Sequence, residues 1–229
     1  MNRRREQRIR SLSRVDILEP PSEEELEELA ARCPDIHLQK GQEFYRQAEH
    51  NNGLFLIESG RVQVYKLSIR GKQLTLVLLS AGMVLTGRRM RGLHAQAMES
   101  SVVSFVRRAD LERLIRNRPE VGLRLMDVLA DDLHLMDGLL SDVVHKEVST
   151  RLATLILRLL DKEGVVNREG YKILTRYTHA QLGSMIGARR VAVTNAFKHL
   201  RESGIVETTQ GCTRVNDTEA LKQTAAREK

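Results

Sequence analysis

Between residues 36 and 106 the apolar residues come in short alternating runs (LFLIE, RVQVYKL, QLTLVLL, SVVSFV), broken by Gly41, Gly53, Gly60, Gly71 and Gly82. Intervals of roughly 7 to 12 residues leave room for strands and tight turns and for nothing longer. Parallel neighbours need a crossover of a dozen or more residues, usually a helix, and no segment here is long enough to be one. This stretch must therefore close as a small antiparallel barrel or roll, with each glycine expected at a turn where φ is positive.

The flanks are helical or irregular. Residues 1–14 carry six Arg and one Glu, and the stretch to Pro20-Pro21 has no apolar period, which reads as a flexible basic tail over 1–21. Ser22 is a fitting N-cap with Glu25 completing a capping box, Leu26 and Leu29 lie on the buried side of that helix, and Cys33-Pro34 stops it. Past the roll, Leu111, Leu114 and Ile115 make a short amphipathic helix. Pro119 then sits in the first turn of a long helix running to about Val144. On it, Met126, Leu129, Leu133, Met136, Leu140 and Val143 are spaced 3, 4, 3, 4, 3, the seam of a two-stranded coiled coil. Val121, Leu125, Val128, Leu135 and Leu139 form a second stripe suited to covering the roll. Two stripes on one helix predict that one faces its own domain and the other a second copy of the chain, a homodimer.

Residues 146–229 are basic, with fifteen Lys and Arg against nine Asp and Glu. A helix over 148–161 (Val148, Leu152, Leu155, Ile156, Leu159) ends at Gly164, and YKILT at 171–175 is strand-like. Thr178 with Gln181 three residues on makes another capping box. Leu182, Met185 and Ile186 then form an apolar face, and Gly187 permits a sharp turn. A second helix follows from about Arg190 to Glu202. It buries Val193, Phe197 and Leu200 and gathers Arg189, Arg190, Asn195, Lys198 and Arg201. Helix, glycine turn and helix is the arrangement whose second helix enters the major groove of DNA. Gln210-Gly211 between two short apolar runs adds a hairpin, the wing. The hairpin of helices alone also fits plain packing with a solvated cationic face. The conjunction of cap, turn, cationic helix, wing and upstream dimer helix is what points to duplex DNA.

Composition agrees and excludes other classes. Thirty-seven Lys and Arg against thirty Asp and Glu give a net charge of +7, which favours an anionic partner. No apolar run approaches the roughly 18 to 20 residues of a membrane span, and the Arg-rich start lacks the apolar stretch of a secretory signal, so a cytoplasmic protein without membrane contact is expected. Cys33 and Cys212 stand far apart with no CxxC, and the seven histidines show no i,i+4 pair, so neither a metal nor a cofactor is expected. No paired carboxylates, nucleophile with a base, or phosphate loop suggests an enzyme.

The whole is an α+β chain: tail over 1–21, roll over 22–118, dimerisation helix over 119–145 and winged helix-turn-helix over 146–229. In that order it resembles the transcription regulators of the cyclic-AMP receptor protein/FNR (Crp/Fnr) family, from about Ile36 to Val215. The segment "KGQEFYRQAEHNNGLFLIESGRVQVYKLSIRGKQLTLVLLSAGMVL" is similar to that family's cyclic-nucleotide-binding roll, and "HKEVSTRLATLILRLL" to the start of its DNA-binding domain. The resemblance implies a homodimer on a pseudo-palindromic site, with RNA polymerase as its protein partner. Arg190, Val191 and Asn195 would read bases, and Thr178, Arg189, Lys198 and Arg201 would touch the DNA backbone.

Departures from the family pattern narrow the reading. The best-known branch usually has Arg-Glu at the first two reading positions. Val191 in place of Glu cannot accept from cytosine N4 but can meet a thymine methyl, and Asn195 suits adenine. Val191 also resembles the cyanobacterial nitrogen-control branch. The family's cyclic-AMP pocket uses a Gly-Glu and an Arg-Ser-Ala; "GMVLTGRRMRGLHAQAMES" has neither, so cyclic AMP is not expected and activity without effector is. Arg88, Arg89 and Arg91 are the residues through which a small anion such as 2-oxoglutarate would bind, against a reading of the same arginines as a solvated loop. Two minor sensor readings are His94 as a haem ligand and Cys33 as a redox switch. A protein-interaction module with a vestigial DNA-binding domain is the alternative from another class.

Overall fold

The computed structural model describes residue 18 and residues 23–45, 53–86, 92–167 and 170–227. The tail over 1–21 apart from Leu18, the Ser22–Glu25 capping box, the side chains of Leu26 and Leu29, and Arg88, Arg89 and Arg91 lie outside the described residues. The chain divides into two compact units, Met1–Leu133 and His134–Lys229.

In the first unit, helix α1 (Glu23–Arg32) precedes strands β1 (Asp35–Leu38), β2 (Glu43–Tyr45), β3 (Gly53–Ser59), β4 (Arg61–Leu67), β5 (Gln73–Ser80), β6 (Val84–Thr86), β7 (Leu93–Ala97) and β8 (Ser101–Arg107). Helices α2 (Arg108–Asn117) and α3 (Pro119–His145) follow. The strands form two four-stranded sheets, ordered β1-β8-β3-β6 and β2-β7-β4-β5, and every pairing is antiparallel, as the turn spacing requires. Alternation sets the faces: Leu93, Ala95 and Ala97 of β7 point into a core with Phe55, Val64 and Leu79, while His94 and Gln96 point away. His94 stacks on Tyr65, ring centroids 5.1 Å apart.

The outer side of the β1-β8-β3-β6 sheet carries a second core. Leu54, Leu56, Val84 and Val106 meet Ala30 of α1, Leu111 and Leu114 of α2, and Leu125 and Val128 of α3. Leu18 is buried there too, and its carbonyl accepts from Arg118 Nη1 at 3.3 Å. Cys33 is fully buried in the same cluster, an apolar setting that offers the redox-switch reading no exposed thiol. Of the second stripe on α3, Val121, Leu125 and Val128 serve the roll; Leu135 and Leu139 lie past the first unit and are half-buried.

Gly41, Gly60, Gly71 and Gly82 do take positive φ, as expected of turns. Gly53 does not. It lies within β3, where a Cβ would stand 2.1 Å from the Val106 carbonyl oxygen, so its role is close approach of two strands rather than a turn.

In the second unit, the last turns of α3 lead into α4 (Val148–Glu163), β9 (Gly164–Asn167), β10 (Gly170–Ile173), α5 (His179–Met185), α6 (Arg190–Glu202), β11 (Val206–Thr209), β12 (Cys212–Val215) and α7 (Thr218–Ala225). Asp142 of α3 holds the joint, accepting from Arg158 at 3.2 Å and Lys146 at 2.9 Å. Leu152, Ile156, Val193, Phe197, Leu200 and Leu221 are buried in the helical core. One antiparallel sheet, β11-β12-β10-β9, flanks it. Strand β9 and helix α7 are absent from the sequence reading. Gly164 ends the helix as expected, capping α4 with extended backbone, and begins β9. A Cβ there would lie 2.3 Å from the Leu160 carbonyl oxygen.

Candidate nucleic-acid interface

Helices α5 and α6 are built by local chemistry. Thr178 accepts from the Gln181 backbone N–H at 3.2 Å, while the Gln181 side chain accepts from the Thr178 N–H at 2.8 Å, the reciprocal capping box. Met185 and Leu182 are buried, Ile186 closes the helix, and Gly187 turns the chain with φ +67°. The Ala188 N–H donates back to the Gly183 carbonyl at 2.8 Å. That return path brings the Ala188 carbonyl against α5, where a Cβ on Gly183 would be 2.9 Å from it and 3.4 Å from Val193 Cγ2. The crossing of the two helices therefore depends on a bare α-carbon at 183.

On α6 the buried residues are Val193, Ala196, Phe197 and Leu200. Arg190, Val191, Thr194, Asn195, Lys198 and Arg201 are exposed, and the helical repeat makes them one stripe running from the first turn to the last. Val191 is 69% exposed, an apolar side chain for which the chain itself supplies no cover. The N-cap Arg189 makes no side-chain cap, so the first N–H groups of α6 stay free to meet an anion. His179 at the start of α5 is held to α6 through Thr194, Nδ1 to Oγ1 at 2.9 Å.

Lys198 lies 3.6 Å from Glu202 one turn on, an exposed pair worth at most about 1 kcal/mol and easily exchanged for another anion. Thr178 is exposed, and its hydroxyl also donates to Gln181 Oε1 at 3.0 Å, so its first duty is to the cap.

Three supports were not legible beforehand. Arg151 of α4 donates from Nη1 to the Ile186 carbonyl at 2.6 Å, placing a cation on the last carbonyl of α5. Burial pushes its guanidinium pKa down, against an opposing pull from the Asp142 carboxylate. Arg151→Met is expected to lower the stability of this unit by about 1.5 to 3 kcal/mol, the range of a hydrogen bond to a charged group. Thermal denaturation checks it, and an unchanged midpoint would remove Arg151 from the support.

Glu163 at the end of α4 accepts from Thr175 Oγ1 at 2.5 Å and Tyr177 Oη at 2.6 Å, fixing the segment that delivers Thr178. Arg176 lies between them in sequence, exposed, with its side chain against Gly211 at the tip of the wing. The wing turn has φ +54° at Gln210 and +80° at Gly211, the pattern of a two-residue hairpin that matches strand twist. Within it Glu207 accepts from the Thr209 hydroxyl at 2.7 Å and pairs with Arg214 at 2.8 Å; these hold its carboxyl below the usual range, the Thr209 bond foremost.

The expected dimer seam lies on α3. Met126, Leu129, Leu133, Leu140 and Val143 are exposed and Met136 is half-buried.

A cyclic nucleotide-binding domain model matches residues 35–118 and a Crp-like helix-turn-helix domain model matches residues 150–224. The chain is 28% identical over 191 residues to the cyclic AMP receptor protein of Thermus thermophilus, covering 81% of this chain and 85% of that one. It is 24% identical over 177 residues to the global nitrogen regulator of Synechocystis, covering 74% and 79%. Among solved structures it is similar to a CooA mutant from Carboxydothermus hydrogenoformans, with TM-score 0.78, 25% identity and coverage of 86% and 89%. The α+β architecture and the nitrogen-regulator resemblance read from the residues thus recur in its relatives, and the chain belongs to the Crp/Fnr family of helix-turn-helix transcriptional regulators.

Proposed function

We propose that the protein works as a homodimer on a pseudo-palindromic duplex, two copies of α6 entering successive major grooves about 34 Å apart. Arg190, Val191 and Asn195 read base edges, and Thr178, Arg189, Lys198 and Arg201 hold the phosphate backbone. The exposed stripe of α6 carries this reading, since it sets one guanidinium, one uncovered valine and one carboxamide side by side on a helix fixed by its opposite face. The division of labour is tail 1–21, roll 22–118, dimer helix 119–145 and reader 146–229. The protein acts in the cytoplasm, with RNA polymerase as its partner, and not as an enzyme.

Cyclic AMP is not required. The residues 82–99 lack the Gly-Glu and Arg-Ser-Ala of the family's nucleotide pocket. Phe44, Phe55 and Phe105 pack in the roll, with ring centroids 5.4 and 4.8 Å apart.

Selection from random duplexes with ligand-free protein at moderate salt, where phosphate binding is suppressed, is expected to return a two-fold symmetric motif. Arg190→Ala then relaxes specificity at one base pair at a cost of about 1 to 3 kcal/mol, while Lys198→Ala weakens specific and random DNA alike. Equal losses on both kinds of DNA for both variants would refute the assignment.

A further inference from the structure

The second unit contains a cleft of about 440 Å³ on the side of α6 that does not read DNA. It opens where the first turn of α4, the last turns of α6 and the end of α7 converge. Glu147, Ser149, Thr150, His199, Ser203 and Arg227 supply most of its polar lining, with Thr224, whose hydroxyl donates to the Ala220 carbonyl at 2.9 Å. Apart from Thr224, none of these side chains bonds or ion-pairs with another described residue. Thr150 is the sharpest case, since it is only 4% exposed and its hydroxyl has no partner.

The charge pattern states what kind of ligand. Helix α4 has 16 residues, and its N-cap Glu147 makes no side-chain cap, so its first N–H groups face the cleft as a partial positive charge. Arg227 adds a full one. Opposed to these are the Glu147 carboxylate and the C-terminal ends of α6 and α7, which carry partial negative charge. A simple anion would satisfy the first set and be repelled by the second. A molecule with both signs a few ångströms apart satisfies both, and the floor of Ala196, Leu200 and Ile205 offers contact to an apolar remainder.

We propose that this cleft is a binding site for a small zwitterion of the α-amino-acid class. The carboxylate takes the N–H groups of α4 with the hydroxyls of Ser149 and Thr150 and the Arg227 guanidinium. The ammonium faces Glu147 and the carbonyl end of α6 near Ser203. Because α6 forms one wall, the ligand touches the same rigid helix that carries Arg190 and Asn195 at its other end.

The test is calorimetric titration of the full-length protein, without DNA, with L-alanine, L-leucine and L-glutamine, and with isocaproate and isoamylamine, which are leucine lacking its ammonium or its carboxylate. At least one amino acid is expected to bind saturably, one per chain, and each leucine analogue to bind at least tenfold more weakly than the amino acid. Thr150→Val and Glu147→Gln are each expected to weaken binding fivefold or more; Glu147 is exposed, so its variant keeps the fold. No heat from any amino acid, isocaproate binding as tightly as leucine, or parental affinity in Glu147→Gln would overturn the proposal. The readout involves no DNA, so this outcome and that of the operator selection are independent.

Discussion

A Leu133→Asp, Leu140→Asp double variant is expected to sediment as a monomer and to lose about 100-fold or more in operator affinity, because two linked half-site contacts become two separate ones. The leucines are 69% and 65% exposed in the single chain, so in the monomer the change removes no packing and the fold should survive, with unchanged far-ultraviolet circular dichroism. In a symmetric pair each leucine occurs twice, and each buried copy contributes about 1.5 to 3 kcal/mol. The new carboxylates would be desolvated across a seam whose helix already carries exposed Asp127, Asp131 and Asp137. Sedimentation equilibrium decides the matter; a double variant that stays dimeric would place the interface elsewhere on the chain.

Gly183→Val is expected to be the most damaging single substitution in the reading unit, lowering its stability by about 3 kcal/mol, the upper end of overpacking costs. The first added carbon would fall 2.9 Å from a backbone carbonyl, which cannot rotate away as a side chain can. Relief requires α5 and α6 to separate, so DNA binding should fall on specific and random duplexes together, while the unfolding of the first unit stays in place. Differential scanning calorimetry resolves the two transitions. A variant with parental midpoints and DNA affinity would mean that the helices tolerate a wider crossing. Gly187→Ala is the informative contrast: there the penalty is only that of φ +67° for a residue with a Cβ, roughly 1 to 2 kcal/mol.

The difference between these glycines shows what was legible. Gly187 announces itself, because a glycine between two apolar helical patterns marks a turn. Gly183 sits inside a helix, where it costs about 1 kcal/mol relative to alanine, and only that cost hints at a reason for it. The reason, a carbonyl five residues on, appears once the turn has folded the chain back. Gly53, expected at a positive-φ turn by the same local logic, instead serves close approach of two strands. Arg151 was equally silent: an arginine on the flank of an amphipathic helix looks solvated until α5 brings its last carbonyl to it.

What the residues determined alone is everything that depends on short spacing. Turn glycines at 60 and 71, the Thr178–Gln181 capping box, the 3-4 seam on α3, the bounds of α6 and the Gln210-Gly211 hairpin all follow from interactions within a few positions, where geometry is nearly independent of the rest of the chain. Tertiary structure alone decided why residue 183 has no side chain, how Glu163 and Arg151 hold the helix pair, and that β9 and α7 complete the unit. It also brought Thr150, Ser203 and Arg227 around one cleft. Those outcomes join residues tens of positions apart, and the spacing of a linear chain carries no record of a contact that exists only after the intervening segments have packed.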